Sequence, residues 1–289
     1  MMESKKINQT LPAFEVDMGG MPVYQPFPTG RIEQIDPFLL FHHSFIKVEE
    51  GVNPLHAGVG PHPHRGFMPV TYVIDGELHH RDSFGNSSVV KQGGAQWLSA
   101  GRGIVHSERP SAELAKTGGT AEVIQLWINL PQANKLETPS YLGIQAEDMN
   151  SVEIAEGLSL DLIAGEYNGS KGKANPPFPV FLAALRAEKK QTGKLNLPVG
   201  MDGGFYLIRG KGSVKGHGLI EEKSFYRLSM EGSGLEIELE AGSLVLFLLG
   251  KALKEPLATY GPFVMNTQTE IMESIRDYNQ GKMGILIEE

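Results

Sequence analysis

The chain has 289 residues, a formal net charge of −8 and no cysteine. The lack of cysteine excludes disulfides, thiolate metal ligands and a cysteine nucleophile, and the acidic balance argues against direct nucleic-acid binding, which needs clustered Lys and Arg. Hydrophobic residues at 40% and charged residues at 21% are those of a chain that buries a core, and 35 glycines and 18 prolines scattered as turn punctuation suit an all-β protein of many short strands.

In chain order, the start (Met1-Met2-Glu3-Ser4-Lys5-Lys6) lacks the apolar core of a secretory signal. Lys5-Lys6 and Lys189-Lys190 read as solvated surface pairs. Short apolar pieces follow at 21–24 and 38–41, then a turn-rich lead-in, Gly58-Val59-Gly60-Pro61. Residues 70–74 form a β-branched and aromatic strand, Asp75-Gly76 a hairpin turn, 78–82 the return strand, and Gly85-Asn86 another turn. Strands at 88–91, 95–98, 104–108 and 123–130 continue at a spacing of about ten residues, the rhythm of a sandwich or small barrel. Residues 131–143 are polar and aperiodic and are expected to link two domains, 1–135 and 136–289.

The second half repeats the style, with strands expected at 178–187, 194–198, 204–208, 224–230, 235–239 and 243–249. The last is the longest apolar run and far too short to span a bilayer, so no membrane partner is expected. Gly242-Ser243-Leu244-Val245-Leu246 resembles Gly94-Ala95-Gln96-Trp97-Leu98, which suggests an internal duplication, two β-barrels in tandem. One helix is expected near the end. Thr267 N-caps it, Glu270 completes a capping box, Ile271, Ile275 and Tyr278 form an apolar stripe, and Gly281 fits the position after the C-cap.

The chemistry concentrates in His62-Pro63-His64 and His106-Ser107-Glu108. Each is a pair at i, i+2, and on a strand such pairs share a face. If the two strands are neighbours, three imidazoles and a carboxylate meet at one point. That donor set favours Fe(II), Mn(II), Ni(II) or Zn(II) over Ca(II) or Mg(II) and leaves coordination positions open. The second half holds a single histidine, His217, in a glycine-rich loop, too little for a second site. Trp97, Phe67, Trp127 and Phe84 are candidate walls of an aromatic pocket, although aromatics inside small barrels are more often core. Arg65 and Arg102 are candidates for orienting Glu108, contacting substrate or forming a structural ion pair. Of His79-His80, at most one can approach the site, because adjacent strand residues face opposite ways.

The stretches His62-Pro63-His64-Arg65-Gly66-Phe67, Gln96 to Glu108 (QWLSAGRGIVHSE), Gln125-Leu126-Trp127-Ile128-Asn129-Leu130-Pro131 and Tyr260-Gly261-Pro262-Phe263-Val264-Met265-Asn266-Thr267 resemble the hallmarks of the pirin family within the cupin superfamily. The resemblance covers nearly the whole chain. It implies two tandem cupin-type barrels, a bicupin, with metal only in the first. It implies one Fe(II) per chain, with Mn, Ni, Zn or Co as alternatives, on His62, His64, His106 and Glu108. It also implies an enzyme of quercetin 2,3-dioxygenase type that cleaves a flavonol with dioxygen; Glu108, the only carboxylate expected at the metal, is the candidate general base. The alternative it implies is an iron-dependent redox sensor that binds a transcription factor or metabolic enzyme. The expected protein is a cytoplasmic monomer (nuclear also, in a eukaryote). Two departures from the family pattern stand out: Met68 where many pirins have glutamate, and His42-His43 where many have acidic residues.

Overall fold

A computed structural model describes residues 3–18 and 21–288. Its strands gather into two units. Each unit pairs a seven-stranded antiparallel sheet with a four-stranded one, and the chain belongs to the all-β class with two barrels of like topology.

One unit comprises Val16–Val23, Leu39–Glu147 and Leu253–Glu289. Its large sheet runs Ser140–Ile144, Ala95–Ser99, Phe67–Asp75, Gly119–Asn129, Phe38–Val48, Pro22–Phe27, Phe14–Asp17. Its small sheet runs Val59–His64, Ile104–Pro110, Glu77–Asp82, Ser87–Lys91. Pro61 and Pro63 sit on the edge strand of the small sheet, where a missing N–H costs no ladder bond. Ile46, Val48, Val73, Leu78, Val90 and Val123 form one apolar layer of this barrel.

The other unit comprises Met1–Glu15, Tyr24–Phe38 and Asp148–Ala252. Its large sheet runs Ile7–Pro12, Ser224–Leu228, Asp202–Arg209, Leu244–Gly250, Val180–Ala187, Leu158–Ala164, Asn150–Ala155. Its small sheet runs Gln191–Asn196, Gly234–Leu239, Gly212–Val214, Gly218–Ile220. Phe205, Tyr226 and Phe247 fill its interior together with Leu195, Ile237 and Leu239, all essentially inaccessible. The strands Gln191–Asn196 and Gly234–Leu239 hold the topological places of Val59–His64 and Ile104–Pro110, and there Gly193, Leu195, Leu235 and Ile237 face inward. No imidazole stands on either of these two strands, and their inward positions are glycine and leucine or isoleucine.

Several sequence expectations need correction. The duplication is topological, but Leu244–Gly250 matches Gly119–Asn129 in sheet order, not Ala95–Ser99, whose counterpart is Ser224–Leu228. Asp75-Gly76 does not close a hairpin: the strands on either side lie in different sheets, so the turn carries the chain across the barrel. Residues 131–143 are not a free linker. Lys135 is buried and Ser140–Ile144 pairs along the full length of Ala95–Ser99. The contiguous division at 135 therefore gives way to interleaved units. In each barrel the edge of the large sheet is closed by a strand remote in sequence or beyond the expected boundary, and an uncovered edge is a pairing liability. Lys5 is not solvated either; it is buried and donates to the Ser229 carbonyl at 2.9 Å.

The helix at the end forms as expected, Gln268–Asn279, with both halves of the Thr267/Glu270 capping box made and Gly281 at φ +72°. A one-turn helix, Ala112–Thr117, capped by Ser111, was not foreseen, since six residues carry no readable period. No helix among the described residues is long and apolar enough to cross a membrane.

Candidate metal centre

The strands Val59–His64 and Ile104–Pro110 pair antiparallel, with His106 opposite His62 and Ile104 opposite His64. The three imidazoles therefore meet, and one nitrogen from each lies within 4.8 Å of the other two. The Nε2 atoms of His62 and His64 are 3.1 Å apart. That is close to the separation of about 3 Å expected for neighbouring nitrogens each bonded at about 2.1 Å to one ion.

Hydrogen bonds fix which nitrogen faces inward. His62 Nδ1 donates to the Gly60 carbonyl at 2.8 Å, which leaves its Nε2 lone pair free to ligate. Asp82 Oδ2 accepts from His80 Nε2 at 3.0 Å, so His80 Nδ1 is left to accept from His106 Nδ1 at 3.3 Å. His106 Nε2 is buried with no partner, as a ligand atom would be before its metal arrives. Burial, followed by the neighbouring imidazoles, pushes His64 and His106 well below the ordinary histidine value, which keeps both neutral, the ligating form. Burial acts on Asp82 in the opposite sense, but hydrogen bonds from His80 and Asn86 outweigh it and hold this carboxyl below the usual range. The donor set fits a borderline divalent ion.

Glu108 lines the same cavity but is not one of the three clustered residues. The register shifts between His106 and Glu108. The Glu108 carboxylate is held from the opposite sheet, Oε1 accepting from Thr71 Oγ1 at 2.8 Å and Oε2 from Gln125 Nε2 at 2.7 Å. Trp127 Nε1 in turn donates to Gln125 Oε1 at 3.3 Å.

The cavity holds about 250 Å³ and is lined by His62, His64, Thr71, Glu108, Gln125 and Trp127 with the apolar Ile46, Leu78 and Val123. A second cavity of about 330 Å³ shares Met18, Met21, Ile46 and Val59 with it. His42 also lines this cavity; burial pushes its imidazole down to about 4, so it is neutral there. His43 points the other way, with Nε2 2.9 Å from Glu122 Oε1.

Among the other candidates, Trp127 belongs to the wall, and Phe67, whose ring lies tilted at 4.4 Å from Trp127 and meets His64 edge-on, does not line the cavity. Trp97 is buried but does not line the cavity, and Phe84 is exposed. Met68 alternates with Thr71 along its strand and faces away from the cavity, so the missing glutamate removes no group from it. Arg65 forms an ion pair with Asp277, and Arg102 is exposed. His217 sits exposed beside the Tyr226 ring. Of His79-His80, it is His80 that approaches the site, through His106, and sequence reasoning did not single out Asp82 behind it. The signal was present: His80 and Asp82 form another i, i+2 pair, and they stand opposite Glu108 and His106 in the register.

A two-barrel β protein with a histidine cluster in one barrel belongs to the cupin class. More closely, this chain belongs to the pirin family: the family model "Pirin" matches residues 20–128 and "Pirin C-terminal cupin domain" matches residues 182–284. A crystal structure of quercetin 2,3-dioxygenase from Acinetobacter baumannii is 37% identical, covers 99% of this chain and 100% of its own, and superposes with a TM-score of 0.90. A Pseudomonas aeruginosa protein that carries the provisional name quercetin 2,3-dioxygenase is 36% identical over 88% of each chain. Pirin of Rattus norvegicus is 30% identical over 98% of this chain and 95% of its own.

Proposed function

We propose that the chain holds one divalent metal ion, iron(II) with Mn, Ni, Zn or Co as substitutes, on His62, His64, His106 and Glu108, and cleaves a flavonol with dioxygen in the manner of a quercetin 2,3-dioxygenase. The observation that supports this most is the meeting of three imidazole nitrogens beside a buried carboxylate at the wall of a cavity of about 250 Å³. The relatives named for the same activity support the substrate class.

When bound, the metal supplies charge stabilisation and orientation for an electron-rich enolate. The chain's own groups do the rest. Glu108, its two oxygens oriented by Thr71 and Gln125, takes the proton of the flavonol 3-hydroxyl. Trp127, Ile46, Leu78 and Val123 offer an apolar wall to a flat ring system and exclude water. The neutral imidazole of His42 presents a polar contact for a second substrate hydroxyl. Dioxygen adds, the heterocycle opens and carbon monoxide leaves.

The test is metal analysis with quercetin turnover under oxygen on Fe(II)-reconstituted protein, beside His106→Ala and Glu108→Gln. The expected result is one metal per chain, loss of metal in His106→Ala, and in Glu108→Gln metal retained more weakly with turnover reduced by about 100-fold or more. Wild-type turnover in Glu108→Gln would remove its role as base. Stoichiometric metal without turnover would leave the iron-dependent regulator, a reading that suits the net charge of −8 better with a protein partner than with DNA.

A further inference from the structure

The residue that follows each ligand pair is an arginine, and both arginines reach the same stretch of chain. Arg65, after His64, places Nη1 and Nη2 each 3.1 Å from Asp277 Oδ2, and its Nε donates to the Arg102 carbonyl at 2.6 Å. Arg109, after Glu108, donates from Nη2 to Glu288 Oε2 at 2.7 Å and from Nε to the same oxygen at 3.2 Å. Ser107, between the two ligands of that strand, donates to Glu288 Oε1 at 2.6 Å. Strand alternation explains the geometry: His106 joins the imidazole cluster and Glu108 lines the cavity, so Ser107 and Arg109 face outward. Asp277 and Glu288 both lie in Leu253–Glu289, the part of the chain that returns to this barrel after the second one is built.

Apolar contacts run alongside the ion pairs. Val105 packs with Phe263, Met265, Ile271 and Met283. A Cβ at Gly103 would meet the Met283 side chain at 2.5 Å, and one at Gly66 would meet the Val264 carbonyl oxygen at 1.9 Å. The contrast with the other barrel is informative. There the equivalent strand, Gly234–Leu239, alternates between buried and half-buried positions, as a strand with one covered face should. Ile104–Pro110 is buried at every position, because its outward face is covered too.

We propose that Arg65 with Asp277, and Arg109 with Glu288, are positioning residues for the metal ligands: the segment from Leu253 to Glu288 latches both ligand strands from the face opposite the imidazoles. The proposal rests on the metal-centre reading. Ligand atoms must be held to about 0.5 Å for productive coordination, and strands anchored only from the cavity side have freedom to twist. The side chains of both pairs are at most 16% exposed, so solvent screens them less than ordinary surface pairs.

The test is calorimetric titration of metal-free protein with Ni(II) alone, together with thermal unfolding of the same metal-free samples. The proteins are wild type, Glu288→Gln, Asp277→Asn, Glu288→Asp and, as control, Asp202→Asn, which breaks the Arg227–Asp202 pair of the other barrel. We expect one Ni(II) per wild-type chain, an affinity loss of about tenfold in Glu288→Gln and in Asp277→Asn, recovery of most of it in Glu288→Asp, and no change in Asp202→Asn. Wild-type affinity in Glu288→Gln and Asp277→Asn, with thermal stability lowered as in the control, would reduce the latch to a structural feature and overturn the proposal. Absence of Ni(II) binding in the wild type would overturn the metal centre and the latch together. Should Glu288→Gln fail to fold, Arg109→Lys carries the test, since it keeps the charge and loses the fork: intermediate affinity supports the latch, and wild-type affinity overturns it.

Discussion

Lys135 shows how much one side chain can decide. It is buried, and its ammonium donates to the Gly66 carbonyl at 2.6 Å, Asn129 Oδ1 at 2.5 Å and the Val264 carbonyl at 3.1 Å. Burial pushes its pKa down to about 7, against the pull of Glu255 and Glu270. Three acceptors match the three N–H groups of the charged form. Lys135→Met should leave those acceptors unpaired and cost about 3 kcal/mol, read as a lower midpoint in denaturant; an unchanged midpoint would mean water replaces the ammonium. At the cavity beside the histidine cluster, His42→Phe fills a similar volume without the polar contact. The expected outcome is a rise of about tenfold in KM for quercetin with metal affinity unchanged. A fall in kcat alone would instead place His42 in the chemical step.

Elements carry a second layer of cause. The capping box of the helix Gln268–Asn279 satisfies otherwise orphaned backbone donors, so Thr267→Ala should destabilise the protein by about 1 kcal/mol, measurable as a shift in thermal midpoint. The ion pairs at either end of the latch give a pH dependence with a definite sign. Lys282 first, and then Arg65, hold the Asp277 carboxyl below the usual carboxylate value. Burial would raise that of Glu288, but Arg109 and Ser107 outweigh it and the net shift is also downward. A depressed folded pKa means that the contribution is full above the unfolded value of about 4 and is lost as pH falls through the folded one. The gap in thermal midpoint between wild type and Glu288→Gln should therefore narrow from about pH 6 to about pH 3. A gap that stays constant over that range would show that the carboxylate's charge contributes nothing.

For the molecule as a whole, the two barrels share one sheet topology and differ in what fills them. One brings His62, His64 and His106 together beside a cavity; the other closes on Leu195, Ile237, Phe205 and Phe247. Metal analysis of the intact chain should accordingly find one ion per chain and, in His106→Ala, none; a second equivalent surviving in that variant would reveal a site elsewhere. The histidine cluster and the final helix were legible in the sequence because each rests on a local period: two residues on a strand, or three to four on a helix. The strand-to-strand assignments were not legible. Asp75-Gly76 carries the chemistry of a hairpin turn and yet joins two sheets.

The sequence by itself determined the all-β class, the two-barrel plan, the family and the histidine cluster, because spacing and residue type act locally along a strand. Only the tertiary structure decided the rest. It interleaved the two units, turned the polar stretch around Lys135 into buried anchorage, tied Glu108 to Thr71 and Gln125, enlisted His80 and Asp82 behind His106, and brought Asp277 and Glu288 back onto Arg65 and Arg109 beside the histidine-bearing strands. Those contacts join residues up to 212 positions apart. No local period encodes such a pairing; it follows from which edges and faces remain to be covered once the barrels close.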